Sequence, residues 1–334
     1  MTNPPSALQR TTTGLHTIRA PVRDRLEQVV DELRGIAASD FSMIEEVNAY
    51  ILNVPGKLLR PTLVLLASEV GGEPSDDAVT LAAVVELVHM ATLVHDDAVD
   101  HSVLRRGMPT VNALWTHQIA IIMGDYLYSR SVTELAGIGD LEAVRVLASA
   151  ANEMSVGEMR QLLSYDDIGY SEADYYQLIS AKTASLMSAA CEMGALAGVA
   201  SNRAPLKRFG HCLGMAFQIA DDMLDYEGSA DVTGKPTGLD LRGRKVTLPL
   251  VGALREMSPT EVDQVRHVFT LVEPSDRDVE DTIALVRRNG GLEYARRKAF
   301  EYADAAEAAI AGLAPGPALD ALRDSVFYVV DRSR

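Results

Sequence analysis

The stretch from residue 76 to 101 is apolar on nearly every side: Leu81-Ala82-Ala83-Val84-Val85 runs on through Val94, interrupted only by Glu86, His89 and Thr92. A helix without a polar face cannot lie at a surface, because every orientation would leave hydrocarbon in water. It has to be enclosed, so the rest of the chain must supply enough elements to surround one central rod. Ser75-Asp76-Asp77 gives that helix its start signal, and the run closes on Asp96-Asp97-Ala98-Val99-Asp100.

The surrounding elements read as helices too. Pro21 opens a helix over 21–38 with Val22, Leu26, Val29, Val30, Leu33 and Ile36 on one face, and a second amphipathic helix covers 42–53. The spacing predicts further helices over 61–70, 110–136, 140–164, 171–200, 204–227, 246–257, 259–271, 277–288, 291–313 and 317–331, with no alternating, β-branched strand pattern. The expected fold class is all-α. The chain has 334 residues and no linker-like stretch, so residues 20–334 read as a single domain behind a loose tail at 1–19. That tail lacks the apolar core of a signal peptide. The longest uncharged run, Gly107 to Gly124, holds Pro109, Asn112, His117 and Gln118, so no transmembrane helix is expected.

The acid pattern that ends the central helix occurs again, at Asp221-Asp222-Met223-Leu224-Asp225. On a helix, Asp96 and Asp100 share a face one turn apart, as do Asp221 and Asp225, while Asp97 and Asp222 sit about 100° round. Each cluster closes an apolar run, 81–95 or 209–220, which puts it at the rim of a buried helix. Carboxylates crowded there repel one another unless cations compensate. Hard oxygen ligands at this spacing suit Mg²⁺, which takes one or two carboxylates together with substrate phosphate oxygens. Two such rims face to face would clamp a metal-bound diphosphate.

The net charge of −16 makes nucleic acid or an anionic membrane surface an unsuitable main partner, and it makes clustered cations informative. Lys57, Arg60, Arg105, Arg106, Lys182, Lys235 and Lys245 fall in or beside the loops expected to border the acids. Arg forks and Lys ammoniums are the side chains that hold phosphate. His89, two turns before Asp96, and Gln218, three residues before Asp221, face the same way as their clusters. The Gly-rich stretch 228–245 reads as a functional lid. Cys191 and Cys212 lie in apolar helical contexts and read as buried free thiols, which fits a reducing cytoplasm.

Taken in order, GKLLRP at 56–61, ELVHMATLVHDDAVD at 86–100, RRGMPT at 105–110, Gly124-Asp125, GEM with Gln161, Lys182-Thr183, FQIADDMLD at 217–225, TGK at 233–235 and GLDLRGRKVTLPL at 238–250 resemble the trans-isoprenyl diphosphate synthases, or polyprenyl synthetases. The resemblance runs from about residue 20 to the end. It implies an isoprenoid synthase-type bundle of ten or more helices around a deep central cavity, paired as a homodimer. It also implies head-to-tail transfer of an allylic diphosphate (geranyl, farnesyl or geranylgeranyl) onto isopentenyl diphosphate. By this likeness Asp96, Asp100 and Asp221, with Asp225 beside them, hold about three Mg²⁺. Asp97 and Asp222 complete the catalytic clusters, and Arg105, Lys182 and Lys235 anchor the allylic diphosphate. Lys57, Arg60, His89 and Arg106, with Lys245 nearby, bind isopentenyl diphosphate, while Thr183 and Gln218 line the site near the developing cation.

In that family the residues four and five before the first aspartate form the tunnel floor. Here they are Thr92 and Ala91, small enough to favour a long-chain all-trans product of about six to ten isoprene units by analogy. Val88 and the Tyr126 to Tyr128 turn are candidate lower floors. Such a chain is expected in the cytoplasm, touching membrane transiently when its product leaves. Other readings stay open: a short-chain farnesyl or geranylgeranyl diphosphate synthase, a non-catalytic subunit of a heteromeric synthase, or an HD-type metal phosphohydrolase suggested by His95-Asp96.

Overall fold

The computed structural model describes residues 14–53, 56–163, 168–227 and 238–331. In chain order the first helices are α1 (Leu15–Arg19), α2 (Arg23–Ala37), α3 (Ser42–Asn53), α4 (Leu59–Ser68) and α5 (Asp77–Val99). A short hairpin, β1 (Leu104–Arg105) and β2 (Met108–Pro109), leads to α6 (Val111–Leu114), α7 (His117–Ile138) and α8 (Leu141–Leu163). Then come α9 (Glu172–Ile179), a π-helical turn over Ser180–Ala184, α10 (Ser185–Leu196) and α11 (Arg203–Glu227). The remainder is helical as well: Leu239–Arg242, Leu248–Leu254, Pro259–Thr270, Asp276–Arg288, Gly291–Ile310 and Pro317–Val330.

The central rod is α5, packed against α2, α4, α7 and α10. Leu81, Ala82, Val84, Val85 and Leu87 are all buried, as enclosure on every side requires. By length and composition α5 is apolar enough to cross a bilayer, but here its hydrocarbon is taken up by neighbouring helices. Beside it α10 packs on α4, α8 and α11, and α11 packs along Gly291–Ile310. The ends of α5 and α11, which carry the acid clusters, open on one cavity.

Four sequence expectations change. The boundary of the tail falls inside ordered structure: α1 packs on Pro317–Val330, and Ile18 is fully buried there, a contact no local signal announces. Residues 1–13 of that tail lie outside the described residues. The helix expected over 110–136 breaks at Trp115-Thr116, where Trp115 meets Tyr50 edge-on at 5.6 Å and Thr116 caps α7 by accepting the Ile119 N–H at 3.1 Å. The helix expected over 171–200 is one continuous path only in outline, since its middle turn widens to π geometry. The loop at 105–107 is a hairpin whose turn residues, Arg106 and Gly107, have φ of 52° and 78°, the left-handed pair that a two-residue turn demands.

Candidate active site

One cavity of about 1460 Å³ runs between α5, α7, α8, α10 and α11, and Asp96, Asp97 and Asp221 are among its lining. Opposite α5, Lys182 sits on the π turn. Its Nζ lies 2.5 Å from Glu158 Oε2, 3.0 Å from Gln161 Oε1 and 3.6 Å from Asp96 Oδ2. Burial alone would weaken this ammonium's hold on its proton, but Asp96 and Glu158 outweigh burial and raise its pKa. The π turn reaches α8 because Gly157 has no side chain. A Cβ there would stand 3.0 Å from the Ala181 Cβ and 3.1 Å from the Lys182 N.

Burial raises the pKa of Asp96, Lys182 partly offsets it, and Glu158 and Asp100 push it further up. Asp97 points elsewhere and is almost fully buried, its two oxygens 2.9 and 2.8 Å from Arg105 Nε. The second cluster divides in the same way. Asp222 is buried, accepting from the Tyr175 hydroxyl at 2.6 Å and from Gln218 Nε2 at 2.8 Å. Thr183 Oγ1 in turn donates to Gln218 Oε1 at 2.7 Å, which fixes the amide's orientation toward the cavity. Burial, with Asp240 next in weight, drives the Asp222 pKa well above the carboxylate range. Asp225 caps the following turn: its carboxylate accepts the N–H groups of Leu239 and Asp240, each at 2.9 Å, and its backbone carbonyl accepts the Gly238 N–H at 2.9 Å. Desolvation of the half-buried Asp240, and Asp225 next to it, raise its pKa to about 7.

Among the described residues no three His, Cys, Asp or Glu side chains converge into a cage for an ion. The donors that do face the cavity are hard carboxylate oxygens, those of Asp96 and Asp221 among them. That suits a divalent cation taking the rest of its shell from a phosphate-bearing ligand.

Farther round the rim lie Lys57, Arg60, Glu86, His89 and Arg106, all on the cavity wall. Burial lowers the His89 pKa well below 6.5 and Arg60 and Arg106 add to it, so the imidazole is neutral. Among the described residues the non-glycine residues with positive φ are Leu58, His101, Arg106 and Arg244, at 41°, 50°, 52° and 53°, and of these Leu58 and Arg106 line the cavity. Strain of this kind persists where the surrounding structure holds it and gathers at functional sites. Below the acids, Val88, Ala91 and Thr92 of α5 face Ala148 and Ala151 of α8, with Tyr128 of α7 at the side.

The polyprenyl synthetase family model matches residues 41–286. The chain belongs to this family. Octaprenyl diphosphate synthase of Escherichia coli is 35% identical over 300 residues, covering 89% of this chain and 92% of its own. Among solved structures, a decaprenyl diphosphate synthase from Rhodobacter capsulatus superposes with a TM-score of 0.91 at 36% identity, covering 96% of this chain and 100% of its own. A polyprenyl synthase from Caulobacter crescentus, complexed with calcium and isoprenyl diphosphate, gives 0.91 at 33% identity, covering 97% and 100%.

This polyprenyl synthetase therefore brings most of the residues singled out in its sequence to one cavity. Lys57, Arg60, His89, Ala91, Thr92, Asp96, Asp97, Arg105, Arg106, Lys182, Thr183, Gln218 and Asp221 all line it. Asp100 is exposed at the end of α5. Lys245 stands behind Asp240, and its backbone N–H donates to the Asp240 carbonyl at 2.8 Å. Lys235 and the TGK motif lie outside the described residues. Glu158, Tyr175 and Asp240 join the site without having been assigned to it. Glu158 and Gln161, three apart on α8, carried a legible one-face spacing, whereas Tyr175 and Asp240 meet the second cluster only through tertiary packing.

Proposed function

We propose that this trans-prenyltransferase condenses isopentenyl diphosphate with an allylic diphosphate, head to tail, and repeats the step to make a long-chain all-trans polyprenyl diphosphate. The observation that carries this reading is the cavity itself, with acid clusters and cations at its mouth and small residues, Ala91, Thr92, Ala148 and Ala151, beneath them. Asp96, Asp100 and Asp221 would hold Mg²⁺, about three ions by family likeness, and the Asp225 carboxylate would steady the second cluster from behind. When bound, the ions supply Lewis-acid stabilisation of the leaving diphosphate.

The protein's own groups supply the rest. Lys182 and Arg105 meet charge on the departing diphosphate, each held by a carboxylate so that no reorganisation is needed as charge develops. Gln218 and Thr183 turn oxygen dipoles toward the allylic carbon as its C–O bond breaks. Lys57, Arg60, His89 and Arg106 fix isopentenyl diphosphate so that its double bond attacks that carbon. The carbon–carbon bond forms, and the proton then lost from the isopentenyl unit passes to the released diphosphate. The neutral His89 can donate one hydrogen bond but adds no charge.

The chain acts as a homodimer in the cytoplasm, pairing through the apolar outer faces of α7 and α8, where Ile121, Ile122, Val132, Val156 and Met159 are all exposed. Membrane contact is confined to product release.

Incubation of the purified chain with Mg²⁺, farnesyl diphosphate and excess isopentenyl diphosphate, followed by sizing of the extracted prenols, tests the reading. Long chains are expected. Asp96→Ala and Asp221→Ala should each lower turnover by at least about a hundredfold with the helical signal unchanged. Full activity in both would remove the acid clusters from the mechanism. Ala91→Phe should shorten the product, and an unchanged product would move the floor elsewhere.

A further inference from the structure

The hairpin that carries Arg105 and Arg106 stands over a second cavity. About 210 Å³ of space lies behind it, walled by Val30 and Leu33 of α2, Ile51 of α3, Met90 and Val94 of α5 and Met108 of the hairpin itself. Arg105 and Arg106 line this space as well as the main cavity, so the hairpin is the wall between the two. On its other side Leu104 and Met108 are exposed. Close packing is what ordinarily holds an element in place, and this one has little of it on either side. Its position has to come from particular bonds.

Those bonds fall into two groups. The Ser102 N–H donates to the Asp97 carbonyl at 2.9 Å and the Thr110 N–H to the Val103 carbonyl at 3.1 Å. Thr110 Oγ1 and Asn112 Nδ2 donate to the Ser102 carbonyl at 2.6 and 2.9 Å. All four join residues of one stretch and fix the base of the hairpin. From a separate element, Tyr50 of α3 donates its hydroxyl to the Pro109 carbonyl at 2.6 Å, across 59 residues of sequence. The tyrosine is itself held by its ring, which meets Trp115 edge-on at 5.6 Å. Pro109 pairs with Leu104 and Met108 with Arg105, so the held carbonyl lies on the strand opposite Arg105, with Arg106 in the turn beyond.

The two arginines depend on this bond unequally. Arg105 has a tether to α5, its Nε lying 2.9 and 2.8 Å from the two Asp97 oxygens. Arg106 is exposed in the turn itself, so any shift of the hairpin reaches its backbone directly. We propose that Tyr50 is a positioning residue for isopentenyl diphosphate: its hydroxyl pins strand β2 beside a space that packing leaves open, and thereby sets Arg106 at the rim of the main cavity. The proposal rests on the assignment of Lys57, Arg60, His89 and Arg106 to that substrate. It makes α3, none of whose residues lines the main cavity, part of the binding apparatus.

Tyr50→Phe removes the hydroxyl and keeps the ring against Trp115. The test compares steady-state constants for both substrates in Tyr50→Phe, Tyr50→Leu and Arg106→Gln. Tyr50→Phe is expected to raise KM for isopentenyl diphosphate about fivefold, the scale of one hydrogen bond, leaving kcat and the allylic KM within about twofold of the parent chain. Tyr50→Leu should raise it at least as far. In an Arg106→Gln background the effect of Tyr50→Phe should shrink to less than about twofold, because the group it acts through is gone. An isopentenyl KM unchanged in Tyr50→Phe, while Arg106→Gln raises it, would overturn the proposal alone. A rise confined to Tyr50→Leu would do the same, since it would assign the effect to the ring's packing. So would an equal loss in all constants together with a lowered melting temperature, the signature of a purely structural residue. An unchanged KM in Arg106→Gln would instead overturn the assignment of Arg106 on which the proposal stands.

Discussion

At the scale of single residues, the site works by separating twin aspartates into different tasks. Asp96 faces the cavity while Asp97 is tied to Arg105, and in the second cluster Asp221 faces the cavity while Asp222 is tied to Tyr175 and Gln218. Helix geometry predicts that division, because adjacent residues point 100° apart. His89 shows what burial does to a titrating group here. Its folded-state pKa lies well below the unfolded value of 6.5, so at low pH the unfolded chain takes up a proton that the native site refuses. Its contribution to stability is therefore complete above pH 6.5 and is lost as pH falls below it, by at most about 1.4 kcal/mol for each pH unit. Urea denaturation of the parent and His89→Gln at pH 5.5 and 7.5 should show a smaller loss in the variant. Equal losses would mean that His89 is not held neutral.

At the scale of elements, what could be read in advance depended on whether the cause was local. The apolar periodicity of α5 and the bounds of α3, Ser42–Asn53, follow from neighbours in sequence. The break at Trp115, the π turn under Lys182 and the docking of α1 depend on partners far along the chain, Tyr50, Gly157 and the last helix respectively, and no window of sequence contains both halves. The cation set was legible as a set, because an acidic chain has few reasons to gather cations. The π turn also makes a prediction: π geometry recurs at functional sites because it re-aims one side chain without breaking the helix. Gly157→Leu would force α8 off Ala181 and carry Lys182 away from Asp96. Turnover should fall more than about tenfold while the fold persists, as read by product formation beside circular dichroism. Unaltered turnover would separate Lys182 placement from that contact.

At the scale of the whole molecule, Ile121, Ile122 and Val132 on α7 and Val156 and Met159 on α8 are exposed, and an interface between copies of the chain would take such side chains out of water. Tyr128 of α7 is exposed as well and borders the cavity, so pairing along α7 would also wall the growing prenyl chain from water. Sedimentation of the parent should give a dimer, and Ile122→Glu should give a monomer whose products are shorter or absent. A monomeric parent would place the interface, if any, elsewhere.

The capping of Leu239–Arg242 by Asp225 has its own consequence for the second acid cluster. The chain leaves Asp225 and returns to it at Gly238, Leu239 and Asp240, so both ends of the intervening segment are pinned to one residue. The carboxylate that ends the second cluster therefore gives both its oxygens to the first turn of the next helix, and the end of α11 that carries Asp221 keeps its register against Leu239–Arg242.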